Sequence, residues 1–404
     1  MRSLHALFKS RTSPAKTTSS KSTSLTKASS QNQIETHIIP LIHSSKTALQ
    51  LHQIHTQILL HNLSSSSHIT AQLISSSSLR KSIAYSLSIF NSYHPKNLYL
   101  FNALIRGLTD NYRYLDSIDH FILLLRSDIK PDHLTFSFVL KSIASLSLKG
   151  LARALHGMIL RCGLEFDSFV RISMVDVYVK LEEVKLALKV FDESPQRFHE
   201  GSTLLWNVLI NGCCKVGDMR KALELFEDMP LRNTASWNSL INGFFKIGDL
   251  EQAIEHFDRM PVKDVVSWTT MVNGFSQNGD HEKALSVFSR MLDEDVKPND
   301  FTIVSALSAC AKIGALEAGL RIHKYLKDNG FRLNRAVGNA LVDMHAKCGN
   351  INSASQVFKE AKEKDIITWS VMIWGWAIHG HFEEAIQCFK QMMYAGIQPD
   401  EHEA

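Results

Sequence analysis

Cysteine and proline are sparse in this 404-residue chain, which has six of the first and nine of the second. The cysteines (Cys162, Cys213, Cys214, Cys310, Cys348 and Cys388) form no CxxC pair and lie far apart along the sequence. That pattern speaks against a disulfide framework and fits buried thiols in a reducing compartment. No run of eighteen apolar residues occurs, so no membrane span is expected. There is no GxxxxGK, no GxSxG and no HExxH, so phosphate loops, nucleophile elbows and zincin sites are not expected. Strong positive charge is missing too, despite a formal net charge of +4. Residues 1–34 hold Arg2, Lys9, Arg11, Lys16, Lys21 and Lys27 and no acid. Removing those six charges from the total leaves −2 for residues 35–404, far from the basic balance of a sequence-blind nucleic-acid binder.

What is present is an ordinary globular balance, 45% hydrophobic and 21% charged, so most of the chain should fold. The exception is residues 1–34, rich in Ser, Thr and Lys. This composition is that of an organellar transit peptide or of a disordered basic tail. Leu4, Leu7 and Phe8 at helical spacing beside Arg2 and Arg11 lean mitochondrial, whereas the Ser/Thr-rich continuation leans plastid.

An internal repeat dominates the rest. Gly217, Gly248, Gly279, Gly314, Gly349 and Gly380 are spaced by 31, 31, 35, 35 and 31 residues. Five residues after each stands Ala222, Ala253, Ala284, Gly319, Ala354 or Ala385, and nine after each Phe226, Phe257, Phe288, His323, Phe358 or Phe389. An amphipathic segment precedes each glycine and another follows, which predicts paired helices with the glycine in a left-handed conformation between them. The small residue lets the helices approach and the phenylalanine fills their shared core. Proline near unit ends (Pro131, Pro230, Pro261, Pro298, Pro399) should stop the second helix.

The register sets units at Leu98–Asp132, His133–Asp167, Ser168–Ser202, Thr203–Asn233, Thr234–Asp264, Val265–Asn299, Asp300–Asn334, Arg335–Asp365 and Ile366–Asp400. Glu182 replaces the glycine in the third. Residues 35–97 hold degenerate copies, Ser67–Asn97 and part of Asn32–Ser66, and residues 401–404 begin another unit. The expected fold is all-α, a right-handed α-solenoid superhelix of about eleven helix-turn-helix repeats.

The unit Val265-Val266-Ser267-Trp268-Thr269 … Gly279 … Ala284 … Phe288 … Met291 … Val296-Lys297-Pro298-Asn299 closely resembles a pentatricopeptide repeat. Val337 to Gly349 looks like the short repeat of the plant PLS subgroup. The preceding unit, with Ala309-Cys310-Ala311 and Arg321-Ile322-His323, looks like its long variant. The resemblance covers about nine tenths of the chain. It implies binding of single-stranded RNA in a mitochondrion or chloroplast, about one base per repeat, by a monomer that needs no cofactor.

In that family the fifth and last residues of a unit discriminate bases. Here they are Asn102 with Asp132, Asn207 with Asn233, Asn238 with Asp264, Thr269 with Asn299, Asn339 with Asp365, and Ser370 with Asp400. The resemblance implies U for Asn/Asp, a pyrimidine for Asn/Asn, A for Thr/Asn and G for Ser/Asp. Ile172 and Val304 cannot hydrogen-bond a base, so their units are expected to be spacers; the unit of Ser137 is left unassigned. The same Asn and Asp residues would equally serve as helix caps.

No catalytic role is expected. His381-Phe382-Glu383 matches the HxE of zinc deaminases, but no PCxxC follows, and it falls at the turn between two helices. Cys213-Cys214 reads as packing, and His156 and His323 occupy the phenylalanine column. Relatives with this repeat order act in C-to-U editing, often through further carboxy-terminal domains, so the resemblance allows editing proteins recruited in trans. A helical scaffold gripping a protein segment is the alternative, and salt dependence separates the two.

Overall fold

A computed structural model of the chain describes residues 37–60, 63, 66–193, 203–361 and 363–398. The basic leader 1–34, Pro399, Asp400 and residues 401–404 lie outside these. Among the described residues the secondary structure is helical throughout, with no strand. The chain divides into two compact units, Met1–Arg197 and Phe198–Ala404.

The first unit opens with a helical stretch over 37–44 and the helix Ala48–Leu60. Helix pairs follow: Ser67–Leu79 with Ile83–Ser92, Leu98–Asp110 with Tyr114–Arg126, His133–Ser145 with Lys149–Arg161, and Ser168–Lys180 with Val184–Asp192. The second unit continues the scheme with Thr203–Lys215 and Met219–Asp228, Thr234–Ile247 and Leu250–Arg259, and Val265–Gln277 and His281–Asp293. Its last three pairs are Asp300–Ile313 with Leu316–Asp328, Arg335–Lys347 with Ile351–Glu360, and Ile366–Ile378 with Phe382–Tyr394. In each pair the first helix begins on the first residue of the repeat.

The two repeat lengths have a structural cause. In 31-residue units the second helix has ten residues, and an extended residue, Met229 or Met260, precedes Pro230 or Pro261. A residue before proline avoids the helical region, so the proline stops the helix as expected. In 35-residue units the second helix has thirteen residues, nearly one more turn, as in His281–Asp293; the exception is Ser168–Ser202, whose second helix, Val184–Asp192, has nine. There the stop comes before the proline, at a left-handed residue: Asp128 or Asp295 ahead of Pro131 or Pro298, and Gly163, Gly330 or Gly396 elsewhere. For the long units the expectation of a proline stop is therefore corrected.

The anchor glycines are all left-handed, with φ between 68° and 84°. A Cβ at Gly248 would meet nothing within 4 Å, so the backbone angle, not space, selects glycine there. The same turn is taken without glycine by Tyr112, Ser147 and Glu182, at φ of 63°, 55° and 62°.

Four of the units are stapled to the next by their phenylalanine. Phe226, Phe257 and Phe358 meet Trp237, Trp268 and Trp369 edge-on at 4.7, 4.9 and 5.0 Å. Phe90 meets Phe101 in the same way at 5.0 Å. A loop cation covers the free face of each ring: Lys96, Arg232, Lys263 and Lys364 lie 4.9–5.2 Å from the centroids. Successive first helices also touch closely through a second glycine column that sequence reading did not isolate. A Cβ on Gly274 would sit 2.3 Å from the Phe245 ring, and one on Gly243 would sit 2.5 Å from Cys214 Sγ.

Candidate nucleic-acid interface

Where it lies among the described residues, the last residue of a unit caps the first helix of the next. Asp132, Asn233, Asp264, Asn299 and Asp365 each accept the N–H three residues on, and the cap is extended because this position precedes the helix. The fifth residue of the preceding unit faces the same cap one repeat away. Asn102 Nδ2 donates to both Asp132 oxygens at 3.0 and 3.1 Å. Asn207 Nδ2 donates to Asn233 Oδ1 at 3.3 Å, and Asn339 Nδ2 to Asp365 Oδ1 at 3.4 Å. Asn238 likewise donates to Asp264. Capping and pairing are thus one arrangement, not alternatives.

The remaining pairs differ. The Thr269 hydroxyl lies 2.6 Å from that of Thr302, which itself lies 2.9 Å from Asn299 Oδ1, so a third side chain joins this pair. Ser370 donates to the Ile366 carbonyl at 2.6 Å, and its partner Asp400 lies outside the described residues. Ser137 is similarly turned onto His133 O.

The third residue of the following unit decides how saturated each asparagine is. Thr135 and Thr368 donate to Asn102 Oδ1 and Asn339 Oδ1 at 2.6 and 2.8 Å. Serine stands there after the other two, and its hydroxyl turns to the cap instead: Ser236 on Asn233, Ser267 on Asp264. Asn207 Oδ1 and Asn238 Oδ1 are therefore buried acceptors without a donor. Asn238 is only 8% exposed, which makes the orphan costly unless a ligand supplies the donor.

Their surroundings favour the ionised forms of Asp264 and Asp365. Burial pushes each carboxyl up, but hydrogen bonds from Ser267, Thr234 and Asn238 outweigh it at Asp264 and hold it below the usual carboxylate range. Thr368 and Asn339, with Arg335 3.4 Å away, do the same for Asp365.

Two further columns share this face and were not singled out in the sequence. At the second position stand Tyr99, Leu134, Phe169, Leu204, Val266, Phe301 and Ile367, all large apolar side chains left exposed. They sit three residues before the fifth position, hence on the same side of the helix. In the last turn of the first helix stand Lys180, Lys215, Lys246, Lys312 and Lys347, eight residues beyond the fifth position. In the second compact unit the reading positions and one residue of the apolar column line an open cleft of about 480 Å³, bordered by Asn238, Asp264, Val266 and Thr269. An acceptor, an apolar platform and a cation in sequence along one helix can hold a base, its stacking face and a phosphate. The signal for the apolar column was present, since apolar residues three before a polar one fall on the wrong face for a core.

The other candidates fall elsewhere. Cys213 and Cys214 are buried, and burial pushes their thiols up to about 11 and about 12. His381 starts the second helix of its unit and lies 3.9 Å from Glu384. Among the described residues no group of three or more His, Cys, Asp or Glu could hold a metal ion. His156 reaches Tyr178 Oη at 2.9 Å, and His323 Nδ1 the equivalent His345 Nε2, also at 2.9 Å. Burial first, then His323 and Lys327, pushes His345 down to about 4. Its folded value lies below its unfolded value of 6.5, so its contribution to stability is whole above pH 6.5 and lost as pH falls toward 4. Urea unfolding should show roughly 2 kcal/mol more acid destabilisation in wild type than in His345→Tyr, which copies the His156–Tyr178 pair. Equal pH profiles would remove this account.

A model described as the PPR repeat matches residues 172–197, 204–233, 235–265 and 339–366, and one of the PPR repeat family matches 263–312 and 364–402. A pentatricopeptide repeat-containing protein of Arabidopsis thaliana is 56% identical over 402 residues, covering 99% of this chain and 59% of its own length. Another from the same plant, named chloroplastic, is 35% identical over 353 residues, covering 87% of this chain and 70% of itself. Mitochondrial names also occur among the relatives. The crystal structure of the maize pentatricopeptide repeat protein PPR10 superposes with a TM-score of 0.57 at 16% identity, over 87% of this chain and 57% of that one. A triple cysteine-to-serine variant of PPR10 in complex with an 18-nucleotide psaJ RNA element gives 0.50 at 16% identity, over 93% and 60%. This chain spans a little over half the length of two of its plant relatives, 59% and 56%.

Proposed function

The chain belongs to the pentatricopeptide repeat family, and on that premise we propose that it binds single-stranded RNA by sequence, about one base per repeat, in a plant organelle. The observation that carries this is Asn238, a residue lining the cleft and held in place by the Asp264 cap, whose carbonyl oxygen has no donor. An acceptor at that point selects a base with a ring N–H, which uracil presents and cytosine does not. The solved RNA complex of the maize protein supports the same class of ligand.

The units from Leu98 to Asp400 then read U, two unassigned, a pyrimidine, U, A, one unassigned, U and G. Val304 and Ile172 occupy the spacer positions. The lysine column lets a body of net charge −2 hold phosphates locally. The alternation of 31 and 35 supports assignment to the PLS subgroup. We take its role as RNA processing such as C-to-U editing, with the chemistry done by a partner recruited in trans. Residues 1–34 serve as the import signal.

A gel-shift of the 404-residue chain with RNA carrying this string, offered in both polarities, should show binding at least tenfold tighter than to a scrambled string. Equal affinity for both would remove base reading, and an absence of RNA binding would remove the function.

A further inference from the structure

A second ladder runs beside the reading positions. Asn211, Asn242 and Asn273 stand four residues after Asn207, Asn238 and Thr269, one in each of three successive units, and all three line the same cleft. Asn211 is exposed, and Asn242 and Asn273 are half-buried. Asn273 Oδ1 accepts from the Ser305 hydroxyl at 3.3 Å, which leaves its amide hydrogens for another partner.

Their height along the helix is informative. A step of four residues advances about 6 Å, so the fifth, ninth and thirteenth residues lie in order along one face. In the Thr203–Asn233 and Thr234–Asp264 units the order is Asn, Asn, Lys. A nucleotide laid on that face, base on the first and phosphate toward the last, brings its ribose to the middle residue. An amide offers both a donor and an acceptor, and a 2′-hydroxyl is both as well.

In three other units the same position is unsuited. Asp176 and Asp343 hold Lys180 and Lys347 at 2.7 and 2.8 Å, so a carboxylate there occupies the lysine and faces the sugar with negative charge. Arg106 takes the position in the Leu98–Asp132 unit, 3.5 Å from Asp110.

We infer that Asn211, Asn242 and Asn273 hydrogen-bond the ribose 2′-hydroxyls of three consecutive nucleotides, making this stretch of the groove selective for RNA over DNA. The inference rests on the RNA reading above and adds a sugar specificity to it.

The test uses the full chain and fluorescence anisotropy with the proposed RNA string and a set of oligonucleotides carrying one 2′-deoxy nucleotide each, with deoxyuridine in place of uridine. Deoxy substitution at the nucleotides facing Asn211, Asn242 and Asn273 should each weaken binding about fivefold. Substitution opposite Arg106 or Asp343 should change it less than twofold. In the N211A/N242A/N273A variant, with helical content checked by circular dichroism, RNA affinity should fall and the three deoxy effects should vanish. N242A alone should erase only the middle one. A flat deoxy profile, or a profile unchanged in the variants, overturns the ladder while base reading stands. If the string binds no better than its scramble, the RNA reading and the ladder fail together.

Discussion

Replacing Asn102, Asn207, Asn238 and Asn339 together by alanine should lower affinity for the proposed RNA string by a factor on the order of 10²–10³ and leave the fold intact. Each asparagine is expected to contribute about 1 kcal/mol of base contact, and sites a repeat or more apart add approximately. Stability should hardly change, because the caps belong to Asp132, Asn233, Asp264 and Asp365, which remain. Asp264→Ala separates the two roles. It removes a cap as well as the carboxylate that orients Asn238, so it should cost about 1 kcal/mol of stability besides weakening binding. Isothermal titration paired with urea unfolding reads both quantities. A quadruple variant that binds as wild type does would mean the asparagines only brace the helix caps.

Phe257→Ala should destabilise the second compact unit by about 3–5 kcal/mol. The ring is 1% exposed, meets Trp268 edge-on at 4.9 Å, and carries Lys263 at 5.2 Å on its other face. Its loss removes the staple between the Thr234–Asp264 and Val265–Asn299 units. In a stack where each repeat touches only its neighbours, this should broaden or split the unfolding transition as well as shift it. Phe389, in the same column but half-buried, provides the comparison, and Phe389→Ala should cost about 1 kcal/mol. Equal effects of the two substitutions in urea unfolding followed by circular dichroism would contradict the stapling account.

How much of this was legible beforehand differs from feature to feature. The glycine, small-residue and phenylalanine columns fix the repeat because each answers a local demand: a left-handed turn, a close helix pair, a filled core. The 31 and 35 spacings were visible, but the extra turn of helix behind them was not. Nor was the left-handed residue that stops the long helices ahead of Pro131 and Pro298. Tyr112, Ser147 and Glu182 hid the turn in their units, since nothing in an isolated side chain announces a positive φ.

At the interface the sequence named Asn238 and Asp264 as a pair only through a family resemblance. That the aspartate caps and orients at once depends on the phase between two helices, which no single helix pattern reveals. The choice of Thr135 or Ser236 at the third position carries no mark in the sequence. In the structure it decides whether an asparagine is saturated or left with an orphan acceptor.

The central claim is that side chains at fixed positions choose the base, and one exchange tests it most directly. Asn238→Ser turns the Thr234–Asp264 unit from Asn/Asp to Ser/Asp, the pairing of the Ile366–Asp400 unit. Binding of wild type and variant would be measured against two RNAs differing only by U or G at the facing nucleotide. Wild type should prefer U and the variant G, each by roughly tenfold. The same preference in both proteins, or none in either, would contradict the account.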